Sequence, residues 1–465
     1  MWRFLGVMAA ALVTASAAHA AGPSLLLGAT EDAVRSTTLT EAKAQMDLLV
    51  LAGFRGVRIT QIWTPGDRTL SARDKTVLQN VVAAAKLDNV TVLTSVMNQG
   101  SRTTPLTPDD QADFATYAAS LVTTFPSLQT LIIGNEPNLN RYWLPQFNDD
   151  GSDAAAPAYE SLLAQTYDAL KAAAPTVTVL GGAVSPRGGD VGGGIRPTHS
   201  PTVFIHDLGQ AWRDSGRTTP IMDGFAFHRY EDNSSVAPVD GLHPNSTTIA
   251  LGDYPKLVAS LGEAFDDYEM PIWYDEFGVE SQIPSAKASL YTGAEPTTTK
   301  PVPEATQAEY YRQAVGLAFC QPNVRGLFLF HSVDERDLTA WQSGVYYVDG
   351  TPKSSLKSVN AALDESRRGV IATCDGLQLT VHPRLVQKGP AVYVVCDLDC
   401  AWTAELYRLP NKLLARKSGR AVGQHSTGLR LRVPTQKGRY QLRFSAVAPM
   451  NPGPTAQKIV PLRHG

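Results

Sequence analysis

The sequence predicts an α/β fold: a (β/α)8 TIM barrel over residues 21–368, followed by a small antiparallel β-domain over 369–449. Three features carry that expectation. Eight short apolar runs alternate with longer amphipathic stretches between residues 24 and 365. The connections after the later runs are long. Beyond about Val370 the apolar period changes to two.

The eight runs begin at Ser24 (SLLLGAT), Phe54 (FRGVRIT), Val90 (VTVLTSVMN), Thr130 (TLIIGNE), Val177 (VTVLGGAV), Met222 (MDGFAFH), Pro271 (PIWYDE) and Val324 (VRGLFLFH). Each is β-branched or aromatic and bounded by turn residues, as a strand covered on both faces should be. Helical patterns lie between them, among them Thr40–Ala52, Ala72–Leu87, Pro108–Thr124, Tyr159–Ala174, Tyr254–Tyr268 and Ala305–Cys320; a ninth amphipathic stretch, Ser354–Arg367, follows the last run. Eight strand–helix units match a closed barrel. A doubly wound open sheet usually has fewer units, and no glycine-rich fingerprint follows the first strand.

Long connections follow strands four to eight, notably Pro137–Pro157, Ser185–Ser200, Arg229–Gly252 and Phe277–Glu304. Long loops in a compact domain are usually functional, and these sit on the face where barrel enzymes carry their sites. The run Gly188–Gly194 is not a phosphate loop, because no Lys-Ser/Thr pair follows it.

Past the barrel, Leu377, Leu379 and Val381 alternate, as do Leu429, Leu431 and Val433, then Tyr440, Leu442 and Phe444. This reads as a sandwich-like β-domain, with residues 450–465 as a loose tail. The junction after Arg368 is short and is not a flexible linker, so the domain is expected to pack on the barrel and stabilise it rather than act as a freely tethered module.

Arg3, the apolar run Leu5–Val13 and Ala18-His19-Ala20 read as a signal peptide over 1–20, so the chain is expected to be secreted or periplasmic. The apolar run is shorter than the roughly 20 residues a membrane span needs. Cys320, Cys374, Cys396 and Cys400 can then oxidise, with three possible connectivities for two disulfides. Cys396 and Cys400 lack a second ligand pair for zinc. A net charge of −3 and an 18% charged fraction give no case for nucleic acid or an anionic membrane as partner. A monomer is expected.

Two carboxylates stand out by position. Glu136 lies in LIIGNEPN, just past strand four, and Glu276 in PIWYDEFG, at the end of strand seven. Those strand ends face each other across a barrel mouth, and cleaving a glycosidic bond takes two carboxyl groups flanking one sugar. Side chains alternate along a strand, so Asp275 and Glu276 should not both point into the site; Asp275 or Glu280 is the alternative to Glu276.

Asn135-Glu136-Pro137 after strand four and Glu276-Phe277-Gly278 after strand seven resemble the signatures of clan A glycoside hydrolases, the cellulase-like family 5 and the xylosidase-like family 39. The resemblance covers roughly residues 24–365. It implies a retaining O-glycoside hydrolase with a carbohydrate substrate and no cofactor, with Glu136 as acid/base and Glu276 as nucleophile. It further implies that Asn135 bonds the sugar 2-hydroxyl, that Arg58 keeps the nucleophile ionised, that Tyr230 donates to it, and that His228 lines the sugar subsite. A charge beside a carboxylate favours its ionised form, so Arg58 is expected to lower the Glu276 pKa.

The chain departs from family 5 at two strand ends. Strand three ends in Asn98 where that family often has His. Strand eight ends in Phe330 and His331 where it often has Trp, and the next tryptophan is Trp341. Asn98, His331, Trp63, Trp143 and Trp341 are therefore candidate sugar contacts, with loop packing the alternative for the tryptophans. A non-catalytic glycan-binding barrel and a transglycosylase are the rival functions.

Overall fold

The eight apolar runs become eight strands because each is covered on both sides: the barrel interior on one, a ring of helices on the other. The computed structural model describes residues 22–267, 269–369, 384–388, 391–395, 400–410, 412–421, 438–447 and 455–464. The strands are β1 (Leu26–Thr30), β2 (Gly56–Trp63), β3 (Thr91–Asn98), β4 (Thr130–Ile133), β5 (Thr178–Val184), β6 (Gly224–His228), β7 (Ile272–Phe277) and β8 (Val324–Phe330). They pair in parallel in chain order, and β8 closes on β1 with Leu27 beside Leu327 and Ala29 beside Leu329.

A helix follows each strand: α1 (Leu39–Ala52), α2 (Ala72–Asp88), α3 (Pro108–Thr124), α4 (Ala155–Ala173), α5 (Pro201–Asp214), α6 (Tyr254–Phe265), α7 (Glu304–Phe319) and α8 (Leu356–Arg367). The last is thus the eighth barrel helix, not a ninth. Helix starts follow local chemistry. Thr38, Ser71 and Thr107 accept hydrogen bonds from backbone N–H groups of the first turns of α1, α2 and α3, which satisfies donors that have no partner within the helix.

The barrel interior is filled by Leu26, Leu93, Ile132, Leu180, Ala183, Ala226, Trp273 and Phe328. Two large rings fit only where facing strands carry no side chain. A Cβ on Gly28 would stand 2.4 Å from Phe328 Cε1 and 2.6 Å from the Gly56 carbonyl oxygen; one on Gly224 would stand 2.5 Å from Trp273. Outside the strands, a larger cluster that includes Phe54, Phe114, Tyr159, Phe204 and Tyr311 joins the sheet to the helices.

Past the barrel, β9 (Arg384–Lys388) and β10 (Ala391–Val395) form an antiparallel pair. Strands β11 (Cys400–Arg408), β12 (Lys412–Ala421), β13 (Gly438–Val447) and β14 (Thr455–His464) form an antiparallel sheet in the order β12-β11-β13-β14. Tyr440, Leu442 and Phe444 are buried on one face of β13, with Trp402 and Leu406 of β11. Residues 450–465 are not simply a loose tail: Thr455–His464 pairs with β13 along its length. Pro461 hides that strand in the sequence, yet a proline is tolerated here because β14 is the sheet edge. The leader over 1–20, the alternations at Leu377–Val381 and Leu429–Val433, and Cys374 and Cys396 lie outside the described residues. Cys320, at the end of α7, is disulfide-bonded, and the other three cysteines all lie beyond the barrel in sequence.

Gly28→Ala tests the interior packing. It should cost about 1–3 kcal/mol through forced displacement of Phe328 and the β2 backbone, read as a lower urea midpoint; an unchanged midpoint would mean that the interior has slack.

Candidate active site

The long loops over the strand C-terminal ends enclose a cluster of buried charge. Glu136 follows β4 after the turn residue Gly134, and its own backbone lies in the left-handed region at φ 42°. Such a conformation is costly for a residue with a side chain and persists only where the surroundings hold it. Here its N–H donates to the Ala183 carbonyl at 2.8 Å. The Tyr159 hydroxyl of α4 ties the neighbouring strand ends together, donating to the Ile133 carbonyl at 2.6 Å and accepting from Gly182 N–H at 2.8 Å.

Glu276 reaches the site from β7, which breaks register with both neighbours, between Ala226 and His228 on one side and between Tyr274 and Phe277 on the other. An irregularity of this kind re-aims side chains. Strict alternation therefore fails, and Asp275 and Glu276 both contact Arg58 and His228. Arg58 Nη1 lies 3.2 Å from Glu276 Oε1, and its Nη2 lies 3.7 Å from Asp275 Oδ2. Arg58 Nη2 also donates to Asn135 Oδ1 at 3.0 Å, which leaves the Asn135 amide NH2 directed away from the guanidinium.

His228 is the hub. Its Nδ1 lies 2.9 Å from Glu136 Oε1 and 3.4 Å from Glu276 Oε2, and its Nε2 lies 3.5 Å from Asp275 Oδ2. The last contact is too long for a well-formed hydrogen bond and acts through charge. Burial pulls the imidazole pKa down, but Glu276 and Asp275 outweigh it and hold the value well above the ordinary histidine range. That shift favours the charged imidazolium, whose Nδ1 bonds Glu136 Oε1 while Nε2 has no hydrogen-bond partner. Burial also raises the Asp275 carboxyl, yet His228 and Arg58 bring it below its ordinary value.

Glu276 behaves otherwise than expected. Arg58 and His228 do pull its pKa down, but burial outweighs them and the net shift is upward. The Tyr230 hydroxyl donates to Glu276 Oε2 at 2.9 Å. Burial and the Glu276 charge raise that phenol well above its ordinary range, so it stays a donor.

The other candidates divide. Trp341 returns over the site: half-buried, its ring centroid is 4.8 Å from that of Tyr230 and 5.2 Å from that of Phe330. Trp63 and Trp143 are fully buried and cannot face a sugar. Trp63 packs edge-on to Phe114, and Trp143 edge-on to Tyr159, the residue that pins β4 and β5. Asn98 is buried and spends its amide on the Gly100 and Tyr142 carbonyls at 2.8 and 2.9 Å. His331, at φ 68°, has its ring nitrogens near Glu31 at 3.9 Å and Glu335 at 3.5 Å. Against burial, those two carboxylates raise its pKa to about 10, so it joins β1, β8 and the following loop as a charged clasp.

Two residues of the site carry no clear signal in the sequence. Asp275 stands there only as a substitute for Glu276, and nothing in PIWYDEFG marks the register break. Tyr142 lies near the pair: its phenol is pushed up to about 12 by burial, then by the charges of Glu136 and Glu276. No periodicity marks a loop tyrosine.

The fold is that of clan A glycoside hydrolases. A family 39 glycoside hydrolase from the gut symbiont Bacteroides cellulosilyticus superposes with a TM-score of 0.53 at 15% identity, covering 86% of this chain and 79% of that one. A family 5, subfamily 18 enzyme from Streptomyces cattleya, solved with GlcNAc, gives 0.52 at 16%, covering 74% and 81%. No sequence-family profile matches the chain. No curated protein sequence matches it either.

Two variants test this electrostatic arrangement. If Glu276 must be ionised to react, the acid limb of the pH–rate profile lies above the ordinary glutamate value of 4.5. Arg58→Ala removes a contribution that lowers that pKa, so the limb should move to higher pH; an unmoved limb would contradict the assigned coupling. Asp275→Asn removes a charge that keeps His228 protonated. The His228 ring, followed by NMR, should then titrate at lower pH than in the parent protein, and an unchanged titration would show that Asp275 does not set its charge.

Proposed function

We propose that the protein is a retaining O-glycoside hydrolase acting on a glycoside, oligosaccharide or polysaccharide, with Glu136 as acid/base and Glu276 as nucleophile. The observation that carries this reading is the shared His228 Nδ1. Contacts of 2.9 and 3.4 Å from one atom mean that Glu136 Oε1 and Glu276 Oε2 are at most about 6.3 Å apart, which favours the roughly 5–5.5 Å spacing of retaining enzymes over the roughly 6.5–9.5 Å of inverting ones.

In the first step Glu276 attacks the anomeric carbon while Glu136 gives its proton to the departing oxygen. The carbon–oxygen bond breaks and a glycosyl ester forms on Glu276. Water then attacks the same carbon, Glu136 takes its proton, and the ester bond breaks to release the sugar and restore both carboxyl groups. Tyr230 and Arg58 hold Glu276 in line, and the Asn135 amide bonds the sugar hydroxyl next to the reacting carbon. The signal-peptide pattern over residues 1–20 supports export, and a monomer suffices because one chain supplies every residue named.

Glu276→Ala should lower turnover by at least about 1,000-fold while leaving the unfolding midpoint unchanged. Added azide should restore part of the rate and give a glycosyl azide of inverted configuration. Near-normal turnover in this variant would remove Glu276 from the mechanism.

A further inference from the structure

Beside the carboxylate pair, on the side of Tyr230, the loops after β6, β7 and β8 enclose a cavity of about 280 Å³ that the proposed chemistry does not use. Its wall includes Tyr230, Trp341, Arg187, Glu231, Asp232 and Glu280. The volume is at the small end of ligand pockets, which run from about 300 to 1,000 Å³, so it suits one sugar ring rather than a chain. Continuity with the chemistry is direct, because the Tyr230 that lines it donates to Glu276.

Both buried glutamates of this wall have an Oε2 without a hydrogen-bond partner, and they differ in what that oxygen faces. Glu231 Oε1 accepts from Leu251 N–H at 3.3 Å, and its Oε2 sits where a Cβ on Gly241 would be, 1.8 Å away. It is packed against its own loop. Glu280 is 3% exposed, and its backbone is fixed by Ser234 Oγ at 2.9 Å and Val302 N–H at 3.0 Å, yet its Oε2 has no hydrogen-bond partner. A buried polar atom without a partner is costly, and a ligand hydroxyl would relieve that cost. Burial, then the charges of Glu295 and Asp334, push the Glu280 carboxyl up to about 8 against the pull of Gln342 N–H and Lys353. Near neutral pH it carries a proton and can both donate to and accept from a hydroxyl.

Charge decides what else could enter. Among the described residues lining the cavity, Arg187 is the one lysine or arginine. Its Nη1 donates to the Tyr230 carbonyl at 3.2 Å and forms an ion pair with Asp232 Oδ1 at 3.5 Å. Nearby Lys353 is buried and paired with Asp334 at 2.7 Å. A carboxylate brought into this wall would lose hydration beside Glu231, Asp232 and Glu280, with one cation lining it that is already paired with Asp232.

We propose that this cavity holds an uncharged sugar ring against Trp341, that Glu280 selects it by hydrogen bonding to its hydroxyls, and that uronic acids are turned away. The inference rests on the hydrolase reading for the use of the cavity, but its test does not require turnover. The probes are paired 4-nitrophenyl glycosides in both anomeric forms: glucoside with glucuronide, galactoside with galacturonide. They are titrated calorimetrically into Glu276→Gln protein, with and without a second substitution at Glu280, and their hydrolysis by the wild-type chain is followed separately.

At least one neutral glycoside should bind, and its uronide should bind at least about tenfold more weakly. Adding Glu280→Ala should weaken the neutral ligand about tenfold or more, whereas Glu280→Gln, which keeps both hydrogen-bonding roles, should stay within about threefold. A uronide that binds as tightly as its neutral partner, an unchanged affinity in Glu280→Ala, or no binding of any neutral glycoside would each overturn the proposal. A neutral glycoside that binds through Glu280 but is not hydrolysed by the wild-type chain would sink the hydrolase reading and leave this inference standing.

Discussion

Three carboxyl groups, those of Asp275, Glu276 and Glu136, gather at the mouth of this barrel, and the fold can hold them there only with compensating positive charge. Arg58 and His228 supply it. Asp275 and His228 are fully buried, and Arg58 is 3% exposed, so water screens none of these charges effectively. His228 touches all three carboxylates, and Arg58 touches two of them and Asn135. Removing either cation would leave buried negative charges facing one another. That mutual dependence links β2, β4, β6 and β7 at the site.

The backbone accommodates this arrangement by departing from regularity at the strand ends around the charge cluster. Glu136, Ala183 and His331 all adopt positive φ angles at or just beyond the ends of β4, β5 and β8, and β7 breaks register beside Asp275. The positive-φ residues are held from outside the site. Tyr159 pins β4 and β5, with Trp143 packed on it, and Glu31 accepts from the backbone of Ser332 at 2.9 Å just past His331. The deeply buried Trp143 thus bears on the site through Tyr159, whereas Trp63 packs edge-on to Phe114. Strain at a catalytic rim that is over-determined by its surroundings is a common way to fix reactive groups.

Much of this is legible in the sequence, and the boundary has physical causes. The barrel is readable because strands buried on both faces are apolar throughout, so eight such runs leave little choice of architecture. That Glu136, Glu276, Arg58, Asn135, His228 and Tyr230 come together is readable because the ends of parallel barrel strands converge on one mouth. Trp63 and Trp143 mislead because a loop tryptophan facing sugar and one facing a helix look alike until the tertiary packing is known. Asp275 is hidden because alternation is the default for a strand and a bulge has no sequence mark in PIWYDEFG. The strand at Thr455–His464 is hidden because Pro461 argues against a strand everywhere except at an edge. The net upward shift of Glu276 is hidden because a neighbouring arginine is visible in a sequence and the extent of burial is not.

The charge cluster matters to function if it holds Glu136 and Glu276 close enough for a covalent glycosyl intermediate. The most direct test is time-resolved proton NMR of the anomeric signal during hydrolysis of a glycoside the chain cleaves. The sugar that appears first, before mutarotation, should have the same anomeric configuration as the substrate. If the first-formed sugar has the opposite configuration, water attacks the anomeric carbon directly, Glu276 is not a nucleophile, and the double-displacement mechanism is wrong.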